Sequence, residues 1–337
     1  MNTPKKLSMP AIASYVLGLI ALLLVLKAGL LVALFSGLLV YSLVHLLTPS
    51  IERKFNNRQA RLIAVSVLLA IVLLTIGIGL WGAVAYLRSD AGNLHNLLQK
   101  MADMIDTSRA QMPEWVSTNL PEDVEALKNL LAGGLREHAS DAKRFSQEAG
   151  HLIVHLILGM VIGGMVVLQD INRNSMMRPF AAALTARVSN LATIFHKIVF
   201  AQVRISLINT TFTGIYLAMI LPLAGVHLPF TKSMIAITFL AGLIPVVGNI
   251  VSNTVIVIVS FSHSLQVAVV SLSFMVIIHK LEYFLNARII GGEINAKSWE
   301  LLTAILVMET IFGLPGVVAA PVFYALIKKE LRDLALV

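Results

Sequence analysis

Long apolar runs separated by short polar stretches dominate this chain, with little residue-by-residue alternation. The runs cover 11–26, 29–47, 62–87, 152–168, 198–221, 233–261, 264–278 and 299–327. Crossing a hydrocarbon core of about 30 Å takes about 20 helical residues, so several runs are long enough to span. The pattern predicts an all-α polytopic membrane protein with about eight membrane segments. As one helix the run 11–47 would be roughly 55 Å long, so it divides into two spans turning near Lys27-Ala28-Gly29.

Two of the runs are interrupted. Residues 231–261 would reach roughly 46 Å as a continuous helix, too long for one upright crossing and too short for two. Pro245 and Gly248 sit at the centre of that run, in FLAGLIPVVGNIVSN. Proline removes a backbone donor and glycine loosens what remains, so the helix is expected to break near Ile244-Pro245. The last run repeats the arrangement, with Gly313, Pro315 and Gly316 inside it and Pro321 after them. Irregular backbone at membrane depth survives only where protein buries it or where it lines a cavity. A pair of such Pro/Gly-interrupted segments points to a transporter's binding site, where half-helix ends and unwound carbonyls meet solute or ions. The bland alternative is a simple kink in each, since proline and glycine are common in membrane helices.

Between the third and fourth runs lies one soluble stretch, giving a three-part organisation. Residues 1–87 carry spans one to three, 88–150 form a small soluble helical insert placed outside the cytoplasm, and 151–337 form the transport core. In the insert, Leu94, Leu97, Leu98, Met101, Met104 and Ile105 recur at helical spacing. A second helix starts at Pro121-Glu122-Asp123.

Composition narrows the classes. The hydrophobic fraction is 57%, the charged fraction 13%, and there is no cysteine, which excludes disulfides and thiolate chemistry. The insert holds seven basic and ten acidic residues, so the rest of the chain carries 19 basic against 8 acidic, and its basic residues lie mostly in short loops. Arg53, Lys54, Arg58 and Arg61 mark the clearest cytoplasmic loop, and Lys5, Lys6 and the basic C-terminal stretch place both termini on the same side. This distribution orients a membrane protein and argues against a nucleic-acid partner. The first segment reads as an uncleaved helix. A second basic stretch, with Phe180, Leu184, Val188, Leu191, Ile194 and Phe195 on one face, reads as an amphipathic helix along the cytoplasmic surface.

Several side chains stand out. Glu309 lies within the last apolar run, and an ionisable group at that depth is a functional candidate, able to carry protons or face a cation. A neutral carboxyl bonded to Thr310 is the plain alternative. Arg204, with Gln202, Asn209, Thr210, Thr211 and Thr213, makes the fifth span unusually polar. It can meet a solute, pair with Glu309 or Glu282, or extend to the interface, the last being favoured. His151 and His155 are one turn apart but lack a third ligand, so no metal site is expected. Gly77, Gly79 and Gly82 match GxGxxG without a βαβ context; small-residue helix packing accounts for them and for Gly159 and Gly163. No HExxH, GxSxG or buried Asp pair suggests an enzyme, and no cofactor is implied.

Three stretches carry a family resemblance. LIPVVGNIVSN, HKLEYFLNARIIGG and FGLPGVVAAPVFYALIKKEL resemble motifs of the AI-2E transporters, named for export of autoinducer-2. The order of elements agrees along nearly the whole chain, whereas likeness of motif is confined to about residues 200–330. The family's Pro-Arg pair is altered: Ala287 stands in place of proline, with Arg288 and Gly291 in register in what is expected to be a loop. The resemblance implies a multi-pass protein of the bacterial inner membrane and a homo-oligomer, with a pentamer as one arrangement. It implies export or exchange of a small polar metabolite, an autoinducer-2-like signal among the options. A sodium/proton antiporter is the alternative within the class, and a membrane scaffold whose insert binds a partner is the alternative outside it. The expected site is formed by Ile244, Pro245, Gly248 and Asn249 with Phe312, Gly313, Pro315 and Gly316, tuned by Glu309 and Arg204. Two topologies fit: either 231–261 crosses once, or both broken segments are re-entrant.

Overall fold

The structure is a computed structural model that describes residues 8–52, 55–88, 139–169, 177–244, 247–261 and 263–336. Helix is the one regular element among them. In chain order they are α1 (Met9–Lys27), α2 (Leu31–Ile51), α3 (Asn57–Arg88), α4 (Ala139–Gln169) and α5 (Pro179–Ile215). Then come α6 (Thr231–Gly242), α7 (Val247–Phe261), α8 (Leu265–Ile294), α9 (Ser298–Phe312) and α10 (Leu314–Asp333). Five stretches are long and apolar enough to cross a membrane: Met9–Lys27, Leu31–Ile51, Gly150–Gln169, Pro179–Leu223 and Leu265–Glu282. Gln59–Thr75, Thr231–Gly242 and Val251–Phe261 are shorter apolar helices.

Local sequence sets several boundaries. α1 stops at Lys27, Gly29 takes a left-handed φ of 68°, and α2 begins two residues later, so the expected turn divides the first run. The insert's two expected helices fall on residues 89–138, outside the described residues; α4 begins at Ala139 and carries its polar first turns straight into the fourth apolar run. Ser264 caps α8 by accepting the amide of Val267 at 3.2 Å.

Two expectations need correction. The stretch 179–197 is no separate surface helix: α5 runs without interruption into the fifth apolar run and on through a π-helical turn, Tyr216–Ile220, to Leu223. Its inner face is also claimed by other helices. Leu191, Ile194 and Phe195 pack with Leu26 of α1, Leu31 and Leu38 of α2, and Ala319 to Leu326 of α10. Residues 280–294 are helical as well, because α8 continues through Arg288 and Gly291 to Ile294, where Asn295 caps it in the left-handed region. Alanine at 287 supplies the N–H that proline would lack and is the strongest helix former, so nothing there stops the helix.

Packing falls into two linked groups. α2, α3 and α4 share a core around Val40, Val44, Ala64 and Val167. There α2 and α4 cross at glycines: a Cβ on Gly159 would stand 2.1 Å from the Ala33 carbonyl oxygen, and one on Gly163 would stand 2.3 Å from that of Gly37. This is the small-residue contact that the GxxxG spacing suggests. Gly77, in contrast, faces open space. The second group gathers α6 to α10 around α5, which is long enough to touch elements near both of its ends.

Candidate functional site

Both broken runs fold back on themselves as helical hairpins. In the first, Thr238 of α6 and Ser252 of α7 meet at 2.6 Å between their hydroxyls. The elbow is tight because Gly248 has no side chain: its missing Cβ would lie 1.8 Å from the Ala241 carbonyl oxygen. In the second, Glu300 near the start of α9 accepts hydrogen bonds from Tyr324 at 2.6 Å and from Lys328, both on α10. That elbow turns at Gly313, with φ 63° and ψ −145°, and a Cβ on Gly316 would stand 2.0 Å from the Met308 carbonyl oxygen. The two elbows therefore share one device, a glycine early in the returning arm that admits the backbone of the opposite arm.

The hairpins approach from opposite ends of α5. Leu228 and Met234, at the base of the first, pack with Tyr216, Leu217 and Leu221 late in α5. Its elbow reaches back to Gln202 and Ser206, which donate to the carbonyls of Gly242 and Phe239, each at 2.7 Å. The base of the second lies near the start of α5, where Glu330 of α10 pairs with Arg187 and accepts from Asn190 at 2.8 Å. Tyr15 of α1 completes that cluster, accepting from Arg187 at 2.7 Å and presenting its ring 4.2 Å from the guanidinium. Gln202 lies about 22 Å along α5 from Arg187, and Gly313 about 25 Å along α10 from Glu330, at 1.5 Å per residue. The start of α9 lies farther along α5, since Leu301 shares a buried cluster with Ala201 and Ile205.

A polar seam runs along α5 between these levels. Gln202, Ser206, Asn209, Thr213 and Tyr216 follow a four-three spacing that keeps them on one helical face, and all are buried. Asn209 donates to Glu282 of α8 at 3.3 Å, and the Tyr216 hydroxyl meets that of Ser271 at 2.8 Å, which in turn meets Ser260 of α7 at 2.7 Å. Glu282 is a carboxyl only 5% exposed. The sequence offers it solely as a partner for Arg204, and its place opposite Asn209 is a tertiary contact that spacing along the chain does not reveal.

The predicted residues are dispersed. Gly248 is buried in the first elbow and Ile244 is exposed at its tip, while Asn249 lies in α7 and Pro245 falls outside the described residues. Gly316 is buried, Phe312 half-buried, and Gly313 and Pro315 exposed. Glu309 is exposed on α9, where the Thr310 hydroxyl bonds to the Leu306 carbonyl and not to the acid. Arg204 points away from the seam and pairs with Glu293, not with Glu282 or Glu309. Arg288 is exposed, and Gly291 is buried where the Ala296 amide donates to its carbonyl at 2.9 Å. His151 and His155 stand with ring centroids 6.5 Å apart, and the described residues include no group of three potential metal ligands.

The sequence profile of a family described as "AI-2E family transporter" matches residues 12–335. The chain is also similar to the Bacillus subtilis (strain 168) protein named "Putative transport protein YdbI", at 27% identity over 158 residues. That match covers 46% of this chain and 43% of the other protein. No solved structure matches the chain significantly.

Proposed function

This chain belongs to the AI-2E family of transporters, and from that premise we propose that it is a secondary transporter exporting or exchanging a small polar metabolite. The observation that carries this reading is the pair of helical hairpins, both anchored on α5, the first at its elbow through Gln202 and the second at its base through Arg187. In a bilayer they are re-entrant: α1 to α5 and α8 cross, while α6–α7 and α9–α10 enter and return, which accounts for eight segments and leaves both termini cytoplasmic. Solute is exposed alternately to the two sides between the elbows. The seam favours a neutral, hydrogen-bonding solute over an anion, since it presents hydroxyls, amides and the Glu282 carboxyl, and Arg204 and Arg187 are engaged with Glu293 and Glu330. An autoinducer-2-like signal belongs to that class.

The test begins by comparing extracellular metabolites of bacteria with and without the protein. The compound that changes is then followed in proteoliposomes. Gly248→Leu should abolish its flux, and Gly77→Leu should not. Folded, wild-type protein that carries none of the compound would sink the proposal. A second reading, a cation/proton antiporter, is favoured by the buried Glu282, because a carboxyl inside a membrane bundle is a natural proton or cation carrier. Its mark is flux that follows an imposed sodium or proton gradient and is lost in Glu282→Gln.

A further inference from the structure

A helix that stops inside a protein leaves its last four carbonyls without N–H partners, and each must find a donor. The two elbows meet this demand differently. At the first, all four have donors: Phe239 takes the Ser206 hydroxyl and Gly242 the Gln202 amide, each at 2.7 Å. Leu240 takes the amide of Leu243 at 3.3 Å, and Ala241 that of Ile244 at 2.9 Å. Two of the four donors belong to α5, on side chains 5% and 1% exposed. At the second elbow, Glu309 takes the Gly313 amide at 2.7 Å, and the carbonyls of Thr310, Ile311 and Phe312 have no donor among the described residues. The cause is local. Pro315 has no N–H, and the amides of Gly316 and Val317 turn to the Gly313 carbonyl at 2.9 and 3.2 Å. Ile311 and Leu314 beside the turn are 64% and 55% exposed.

We infer that the first elbow is the fixed wall of the transport site, positioned on α5 by Gln202 and Ser206, and that the second elbow is the part that moves to pass solute. This rests on the reading of the two hairpins as the transport site. Shifting the first elbow breaks two buried hydrogen bonds, each worth about fivefold to tenfold in population. Shifting the second breaks no bond to another helix at its carbonyls. Its arms are instead fastened far from the turn, through Glu300 with Tyr324 and Lys328, and through Glu330 with Arg187. That leaves the tip around Gly313 as the free part. Gln202 and Ser206 are positioning residues, acting on solute only through the elbow they hold.

Hydrogen–deuterium exchange of the full chain in lipid nanodiscs tests this. In the wild type, the Leu314 amide should exchange faster than those of Leu243 and Ile244. Gln202→Leu and Ser206→Ala should each speed exchange at Leu243 and Ile244 about fivefold or more and leave Leu314 unchanged. Ser206→Thr, which keeps the hydroxyl, should restore slow exchange. Equal exchange at both elbows in the wild type, or no response of Leu243 and Ile244 to either substitution, would overturn the inference. Because the chain has no cysteine, Leu243→Cys and Ile311→Cys supply a second measurement that needs no change in α5. In proteoliposomes under a solute gradient, maleimide labelling should change at position 311 and stay constant at 243; the reverse refutes the assignment. Flux is scored separately. Vesicles that carry nothing refute the transport reading, whereas flux with matched exchange at the two elbows refutes only the fixed wall.

Discussion

Replacing Gly248 by alanine probes the first hairpin at its tightest point. The new Cβ would lie 1.8 Å from the Ala241 carbonyl oxygen and 2.3 Å from its carbon, whereas ordinary contact begins near 3.4 Å. The obstacle is backbone, not the end of a flexible side chain, so the arms must part by about 1.6 Å. That separation stretches the 2.6 Å Thr238–Ser252 hydrogen bond out of range. Overpacking of this kind costs about 1–3 kcal/mol and the lost buried bond about 1 more, for a total of about 2–4 kcal/mol. SDS-driven unfolding in mixed micelles, followed by tryptophan fluorescence, reads this as a lower midpoint. Gly77→Ala and Gly18→Ala are the controls, since a Cβ at either meets nothing within 4 Å and alanine favours helix. Should Gly248→Ala unfold at the same midpoint as those two, the arms are not packed as described.

Other substitutions separate strain, charge and surface effects. Gly313→Ala meets no neighbour, yet its φ of 63° and ψ of −145° should make it about 1–3 kcal/mol less stable, measured by the same unfolding assay. Glu330→Ala leaves the part-buried Arg187 without its counter-charge and should cost about 1–3 kcal/mol, whereas Arg187→Met with Glu330→Leu should recover most of that. Arg204→Ala should change stability by no more than about 1 kcal/mol, because its pair with Glu293 is largely exposed in this chain; a larger loss would show that the pair is covered in the membrane.

Much of the fold was legible because hydropathy and chain length act together. The run 11–47 is too long for one span and has a glycine where a left-handed φ is needed, so its division at Gly29 follows from the residues. The breaks near 244 and 313 were equally visible, since proline withholds a donor wherever it stands. Their direction was not. A kink and a hairpin demand the same Pro/Gly signal, and only the partners of Thr238 and Glu300 show that the arms return alongside one another. The stretch 280–294 misleads for the opposite reason: the loop is implied by resemblance to a motif that carries a proline, but Ala287 stands there and no proline interrupts the helix before Asn295 ends it.

The seam on α5 shows why the site was harder to see than the fold. In sequence, Gln202, Arg204, Asn209, Thr211 and Thr213 form one polar patch, and the formal charge draws attention to Arg204. On the helix the patch divides at 100° per residue. Gln202, Ser206, Asn209, Thr213 and Tyr216 turn inward, while Arg204 and Thr211 turn out to be exposed. Two of the inward groups give their donors to the carbonyls that the broken α6 leaves behind, so the break and the polarity of α5 answer one another. The end of one helix thus explains a glutamine in another. The same logic marks the second elbow by contrast: its break has no matching donors on a neighbouring helix, and three of its carbonyls are left without donors among the described residues. An elbow unbonded in this conformation is where a change of conformation, or a bound solute, has the most hydrogen bonding to gain.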